Sequence, residues 1–134
     1  MVSLEDVAAM AMELPEVTEG VSWGHRTWSV RKKSFVWERP LTKADIKRYG
    51  DEPVPQGELV GVRVEDLHEK EAVLAAHPKA FFTITHFDNY AAVLIQLEKV
   101  GKRELREAIV DAWLAVAPAK LAKEYVAAHP SLRR

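Results

Sequence analysis

Apolar positions along the chain change period several times, and each change marks an element. Leu4, Val7, Ala8, Ala11 and Leu14 recur at helical spacing behind Ser3, with Asp6 placed as its capping partner, and Pro15 ends the run. Residues 17–23 are irregular and predict one short strand. Residues 26–30 and 34–38 read as a hairpin. Alternation puts Trp28 and Val30 on one face of the first strand, and Phe35 and Trp37 on one face of the second. Their connection, Arg31-Lys32-Lys33, has no glycine to favour a tight type I′ turn. Residues 42–50 predict a short helix, capped by Thr42 and Asp45 and closed by Gly50. A strand follows over 59–64, then a helix opened by Asp66 and Glu69 that stops at His77-Pro78. Residues 81–84 and 93–97 are rich in aromatic and branched side chains and predict two more strands around a polar-aromatic elbow, Thr85 to Tyr90. Gly101 opens a long helix through 117, with Leu105, Ala108, Ile109, Ala112 and Val116 on its inner stripe. Pro118 starts a last helix over 119–128.

The order is helix, three strands, short helix, strand, helix, two strands, two helices. Hairpin-length connections predict an α+β domain: a mainly antiparallel sheet with helices packed against it, spanning residues 1–134 as one unit. Residues 26–30 should pair antiparallel with 34–38, and 81–85 with 92–97. Val7, Trp28, Phe35, Leu59, Val62, Val73, Phe82, Ile84, Leu94, Leu105, Ile109 and Leu121 are the core candidates. One continuous core is expected, since a chain this short rarely builds two.

Composition narrows the classes of function. No cysteine is present, which excludes disulfides, thiolate metal sites and a cysteine nucleophile. No apolar run is long enough for a bilayer, and the first residues lack the basic and apolar regions of a secretory signal, so no membrane role and a cytoplasmic location are expected. The net charge of −1 conceals an asymmetry. Residues 26–48 hold eight basic residues against Glu38 and Asp45, a balance of +6, so the remainder carries −7. A basic segment on an acidic body makes a local positive field.

Four strings fall into one pattern: residues 17–24 (Val-Thr-Glu-Gly-Val-Ser-Trp-Gly), 62–67 (Val-Arg-Val-Glu-Asp-Leu) with Lys70-Glu71-Ala72, 81–90 (Phe-Phe-Thr-Ile-Thr-His-Phe-Asp-Asn-Tyr) and 112–121 (Ala-Trp-Leu-Ala-Val-Ala-Pro-Ala-Lys-Leu). In that order and spacing the chain resembles the MmcQ/YjbR family of small bacterial proteins over nearly its whole length. The resemblance implies a CyaY-like fold, similar to frataxin and related to a double-wing DNA-binding architecture, and with it a DNA-binding label. Two strings depart from the family pattern. The first hairpin turn is basic rather than glycine-containing, and the elbow reads Asp88-Asn89-Tyr90-Ala91 where the family has Asp-Gly-Tyr-Pro. Asn89 can take the left-handed conformation in place of glycine.

Two sets of residues could carry function. Arg26, Arg31, Lys32, Lys33, Arg39, Lys43, Lys47 and Arg48 could contact phosphates, each replacing a condensed counterion. The competing reading is a solvated turn and helix face, with charges that protect a sheet edge. Trp23, His25, His86, Asp88 and Tyr90 could meet in a pocket with imidazoles, a carboxylate and aromatic walls. The competing reading there is architectural, with Asp88 and Asn89 bonding their own turn and the aromatics filling core. No nucleophile elbow, phosphate-cradling glycine loop or metal-binding histidine spacing is present, so no catalytic residue, metal or cofactor is assigned. Glu5, Asp6 and Glu13 are too sparse to converge on iron, as frataxin-type binding would need.

The leading expectation from sequence is thus a non-catalytic protein binding DNA weakly through residues 26–48. One alternative is a small-molecule-binding protein or unrecognised enzyme using the Trp23/His25 and His86/Asp88/Tyr90 strings. Another is a protein–protein interaction module, since four tryptophans in a short chain suit an interface; a monomer or weak homodimer is expected.

Overall fold

The computed structural model describes residues 2–130. Its elements follow the predicted order: α1 Leu4–Met12, β1 Val17–Ser22, β2 His25–Val30, β3 Lys33–Glu38, α2 Lys43–Arg48, β4 Leu59–Arg63, α3 Leu67–Ala76, β5 Phe81–Phe82, β6 Ala92–Gln96, α4 Lys102–Val116 and α5 Ala119–Ala128. A single 3₁₀ turn, Thr85–Phe87, lies between β5 and β6. The strands form one six-stranded antiparallel sheet in the order β1-β2-β3-β4-β6-β5. The fold is therefore α+β, as the apolar pattern predicts.

The caps form as the sequence implies. Ser3 Oγ accepts from the Asp6 N–H while Asp6 Oδ2 accepts from the Ser3 N–H; Thr42 and Asp45 repeat the exchange at α2. These boxes satisfy helix N–H groups that have no partner within the helix. Both predicted strand pairs form. The β5 strand is short, pairing Phe81 with Ile95 and Phe82 with Leu94 before the chain turns away.

The hairpin between β2 and β3 differs from the prediction in two respects. The chain makes a tight two-residue turn without glycine: Arg31 and Lys32 have φ of 46° and 69°, positive at both positions as type I′ requires. Each residue costs roughly 1–2 kcal/mol in that region. Arg31 is anchored there by two hydrogen bonds, of 2.8 and 3.1 Å, to the Glu16 carboxylate. The second difference is in register. Thr27 pairs with Trp37 and Trp28 with Val36, but Ser29 pairs with Ser34, so Phe35 is an extra residue on β3. The bulge breaks alternation. Phe35 and Val36 are both buried in the main core, and Trp37 packs in a separate cluster. Phe35 and Trp37 do not share a face.

The apolar residues also divide in two, not one. Helices α1 and α4 pack on one side of the sheet around Val7, Trp28, Phe35, Val62, Leu105, Ile109 and Trp113. Trp113 is fully buried, donates to the Pro15 carbonyl at 3.1 Å and holds α5 through the Tyr125 ring. The second, smaller cluster joins Ile84, Phe87, Ala92 and Leu94 to Trp37, Leu41, Tyr49 and Phe82. The expected core residues Phe82, Ile84 and Leu94 belong to this second cluster, while Val73 and Leu121 lie half-buried at the margin of the first. A six-stranded sheet has two faces, and helices long enough to cover one of them leave the other to loops.

Candidate functional site

The second sheet face builds a cleft from its floor upward. Thr27, Trp37, Gly61, Leu94 and Phe82 are successive cross-strand partners on β2, β3, β4, β6 and β5. Gly61 contributes no side chain to this row, and the Trp37 indole lies over it: a methyl group there would sit 2.6 Å from Trp37 Cε2. Around this floor are the turn joining β1 to β2, the loop after β3 and the elbow before β6. Together they enclose an open cleft of about 920 Å³. Trp37, Phe87 and Tyr90 form its aromatic end, with ring centroids 5.4 to 6.5 Å apart. Thr27 and Ser34 supply hydroxyls, and Glu38 and Arg39 supply charge.

The elbow that carries Phe87 and Tyr90 is held from behind. Lys70, on α3, is buried, and its Nζ donates to the Phe87 carbonyl at 2.7 Å and the Tyr90 carbonyl at 2.9 Å. Burial pushes the Lys70 ammonium below its usual value, with Asp88 partly opposing the shift. Asn89 takes φ of 63°, the left-handed conformation its replacement of glycine requires.

Four of the five pocket candidates meet in this cleft. Trp23 and His25 line it from the β1–β2 hairpin, and His86 and Tyr90 from the elbow. Asp88 does not join them: it lines a neighbouring depression with Asp45, Arg48, Tyr49 and Thr85. His25 Nδ1 stands 3.8 Å from Glu38 Oε1, too far for a hydrogen bond. Trp37, Glu38 and Lys70 were not among the site residues read from the sequence. The signal for Trp37 was the run Phe35-Val36-Trp37, three apolar residues where a half-buried strand should alternate. For Lys70 it was a lysine spaced three and four residues from Val73 and Leu74 on the inner side of α3.

The comparisons with known proteins agree with this architecture. A model of the YjbR family matches residues 12–115. The chain belongs to the YjbR family. Among YjbR relatives, the uncharacterized protein Rv2570 of Mycobacterium tuberculosis is 42% identical over 130 residues, covering 95% of this chain and 98% of that protein. The uncharacterized protein Mb2600 of Mycobacterium bovis matches to the same extent. The crystal structure of the Deinococcus radiodurans protein DR2400, a DUF419 domain, superposes with a TM-score of 0.62 at 19% identity, over 92% of this chain and 88% of that one. It supports the fold.

In this YjbR chain the basic segment is not a uniform positive surface. Arg26 pairs with Glu19 and Glu5, and Arg31 with Glu16. Arg39 and Arg48 both reach Asp45, at 3.1 and 3.6 Å. Lys32, Lys33, Lys43 and Lys47 are exposed and make no ion pair among the described residues. Burial alone would raise the Asp45 carboxyl, but the Thr42 hydrogen bonds and the Arg39 charge outweigh it and hold it below the usual value. A carboxylate lowered in the fold binds protons more readily when unfolded, so its contribution is complete above pH ~4 and lost as pH falls further. Asp45→Asn should therefore destabilise the protein by about 1 kcal/mol at pH 7. In denaturant titrations that difference should shrink between pH 4 and pH 2. A constant difference across that range would show that the Asp45 charge contributes nothing. No group of three or more His, Asp or Glu side chains suited to a metal occurs among the described residues. No helix among them is long and apolar enough to cross a membrane.

Proposed function

We propose that this protein is a ligand-binding protein whose site is the cleft on the second sheet face, and that it takes a small organic molecule with a flat apolar portion. One observation carries the reading: Trp23 and His25 meet His86 and Tyr90, about sixty residues away in sequence, around one open cavity. Its volume and its apolar lining with a few polar groups are those of small-molecule sites. The four tryptophans make the test direct. A set of flat aromatic fragments is titrated while the indole N–H resonances are followed. Binding in the cleft should move Trp23 and Trp37 and leave Trp28 and Trp113, which are fully buried, in place. Fragments that move only Trp113, or none that move Trp37, would overturn the reading.

Weak nucleic-acid binding is the second reading, and the four exposed unpaired lysines favour it. The arginines of the segment favour it less, because each already has a carboxylate partner. Four phosphate contacts would give a slope of log affinity against log salt of about −3.6, with affinity around 10⁻⁴–10⁻⁶ M. Changing Lys32, Lys33, Lys43 and Lys47 together to Gln should abolish both. Binding that keeps its salt slope in that variant would remove this surface from consideration.

A further inference from the structure

Among the described residues, Trp23 is the most exposed of the large apolar side chains. It is 96% exposed, at the tip of the β1–β2 turn, where it and Gly24 have φ of 54° and 80°. Asparagine, aspartate or glycine normally fills such a position, and a bulky residue there is an outlier. Two costs thus fall on one residue, exposure of an indole and a strained backbone. Strained positions cluster at functional sites; Arg31, at positive φ in the next hairpin turn, is instead held by Glu16. A methyl group at Gly20 or Gly24 would have no atom within 4 Å. Trp23 nevertheless stands at the open margin of the cleft, with Trp37 in its floor.

Glu38 supplies the polar half of the site. Its Oε1 accepts from the Arg26 N–H at 3.3 Å. Its Oε2 accepts no hydrogen bond from the described residues, and the side chain lines the cleft beside His25. A carboxylate only accepts, so the group that meets it must donate. Aromatic faces take a flat ring in stacked geometry, and base–aromatic stacking is tolerant of which ring is presented.

From these two observations we infer that the cleft holds a nitrogen heterocycle with a donating edge, of the amino-substituted purine type, stacked on Trp23 with its edge on Glu38. The inference rests on the cleft being a ligand site. In a guanine ring the ring N–H and the adjacent amino group donate side by side and match one carboxylate. Hypoxanthine keeps the ring N–H and lacks the amino group.

Guanosine and inosine are the probes, titrated against the indole resonances. Guanosine should move Trp23 and Trp37 and bind about tenfold more tightly than inosine. Trp23→Ala should weaken guanosine about tenfold, in line with the loss of one stacking contact. Glu38→Gln should remove the preference for guanosine over inosine. Trp23 is exposed, so its replacement leaves the fold intact, and unchanged Trp28 and Trp113 resonances check this. If guanosine leaves Trp23 and Trp37 unmoved while other flat fragments move Trp37, the ring class is wrong and the cleft reading stands. If guanosine and inosine bind equally, the Glu38 contact is wrong and the inference fails. If no probe moves Trp37, the inference and the cleft reading fail together.

Discussion

Replacing Lys70 with methionine should destabilise the protein by about 2–3 kcal/mol and loosen the elbow that walls the cleft. Methionine fills a similar volume, so the loss is polar rather than steric. The Lys70 Nζ makes charge-assisted hydrogen bonds to the Phe87 and Tyr90 carbonyls, which keep only the Tyr90 and Ala92 N–H groups as further partners. The sign of the pH dependence follows from burial, which lowers the ammonium below its ordinary value of 10.5. Between the folded and ordinary values the unfolded chain holds more protons, so stability due to Lys70 rises with pH in that window. The wild-type advantage over Lys70→Met should therefore widen toward pH 10. Denaturant titrations at pH 7 and pH 10 measure it; an advantage that narrows would mean that the ammonium is not desolvated. Exchange of the Asp88 and Tyr90 amides, which donate to the Thr85 and Phe87 carbonyls, should quicken in the variant, because the elbow is pinned only at its ends without the lysine.

Gly61→Ala should lower stability by about 1–3 kcal/mol and disrupt the floor of the cleft from beneath. The added methyl would lie 2.6 to 2.8 Å from three atoms of the Trp37 indole, closer than any van der Waals contact allows. The ring can only lift into the cavity or push against Phe87 and Tyr90, its neighbours at 6.5 and 6.4 Å. Either movement should shift the Trp37 indole resonance strongly, leave Trp28 and Trp113 unchanged and weaken any ligand seated on the floor. A normal Trp37 signal in a folded Gly61→Ala protein would show that the sheet, rather than the ring, gives way.

Much of the fold was legible because its elements begin and end on local chemistry. Ser3 with Asp6 and Thr42 with Asp45 announce helix starts, and Pro118 separates α4 from α5 without help from tertiary structure. What was not legible depends on one residue or on distant partners. The single extra residue at Phe35 moves Trp37 to the opposite face, and no spacing rule places a bulge within an otherwise regular hairpin. The basic segment looked like one surface because charge is counted along the chain. Its neutralisation comes from Glu5, Glu16 and Glu19, which fold back onto it from the acidic first residues. The site was half legible. The two unusual strings do meet, but the floor between them and the lysine behind them come from segments that read as ordinary strand and helix.

The unequal covering of the two sheet faces separates the side that carries the fold from the side that carries the cleft. Nearly all the large apolar burial, including Trp28, Trp113, Leu105 and Ile109, lies on the helical side. On the cleft side Ser34 and Glu38 contribute little apolar burial. Positions of that kind can change chemistry with small consequences for stability, since surface substitutions away from packing usually fall within about 0.5 kcal/mol. On the proposed reading, one scaffold can thus present different polar groups over the same aromatic floor, and members of the family could diverge in what they hold while remaining superposable in backbone.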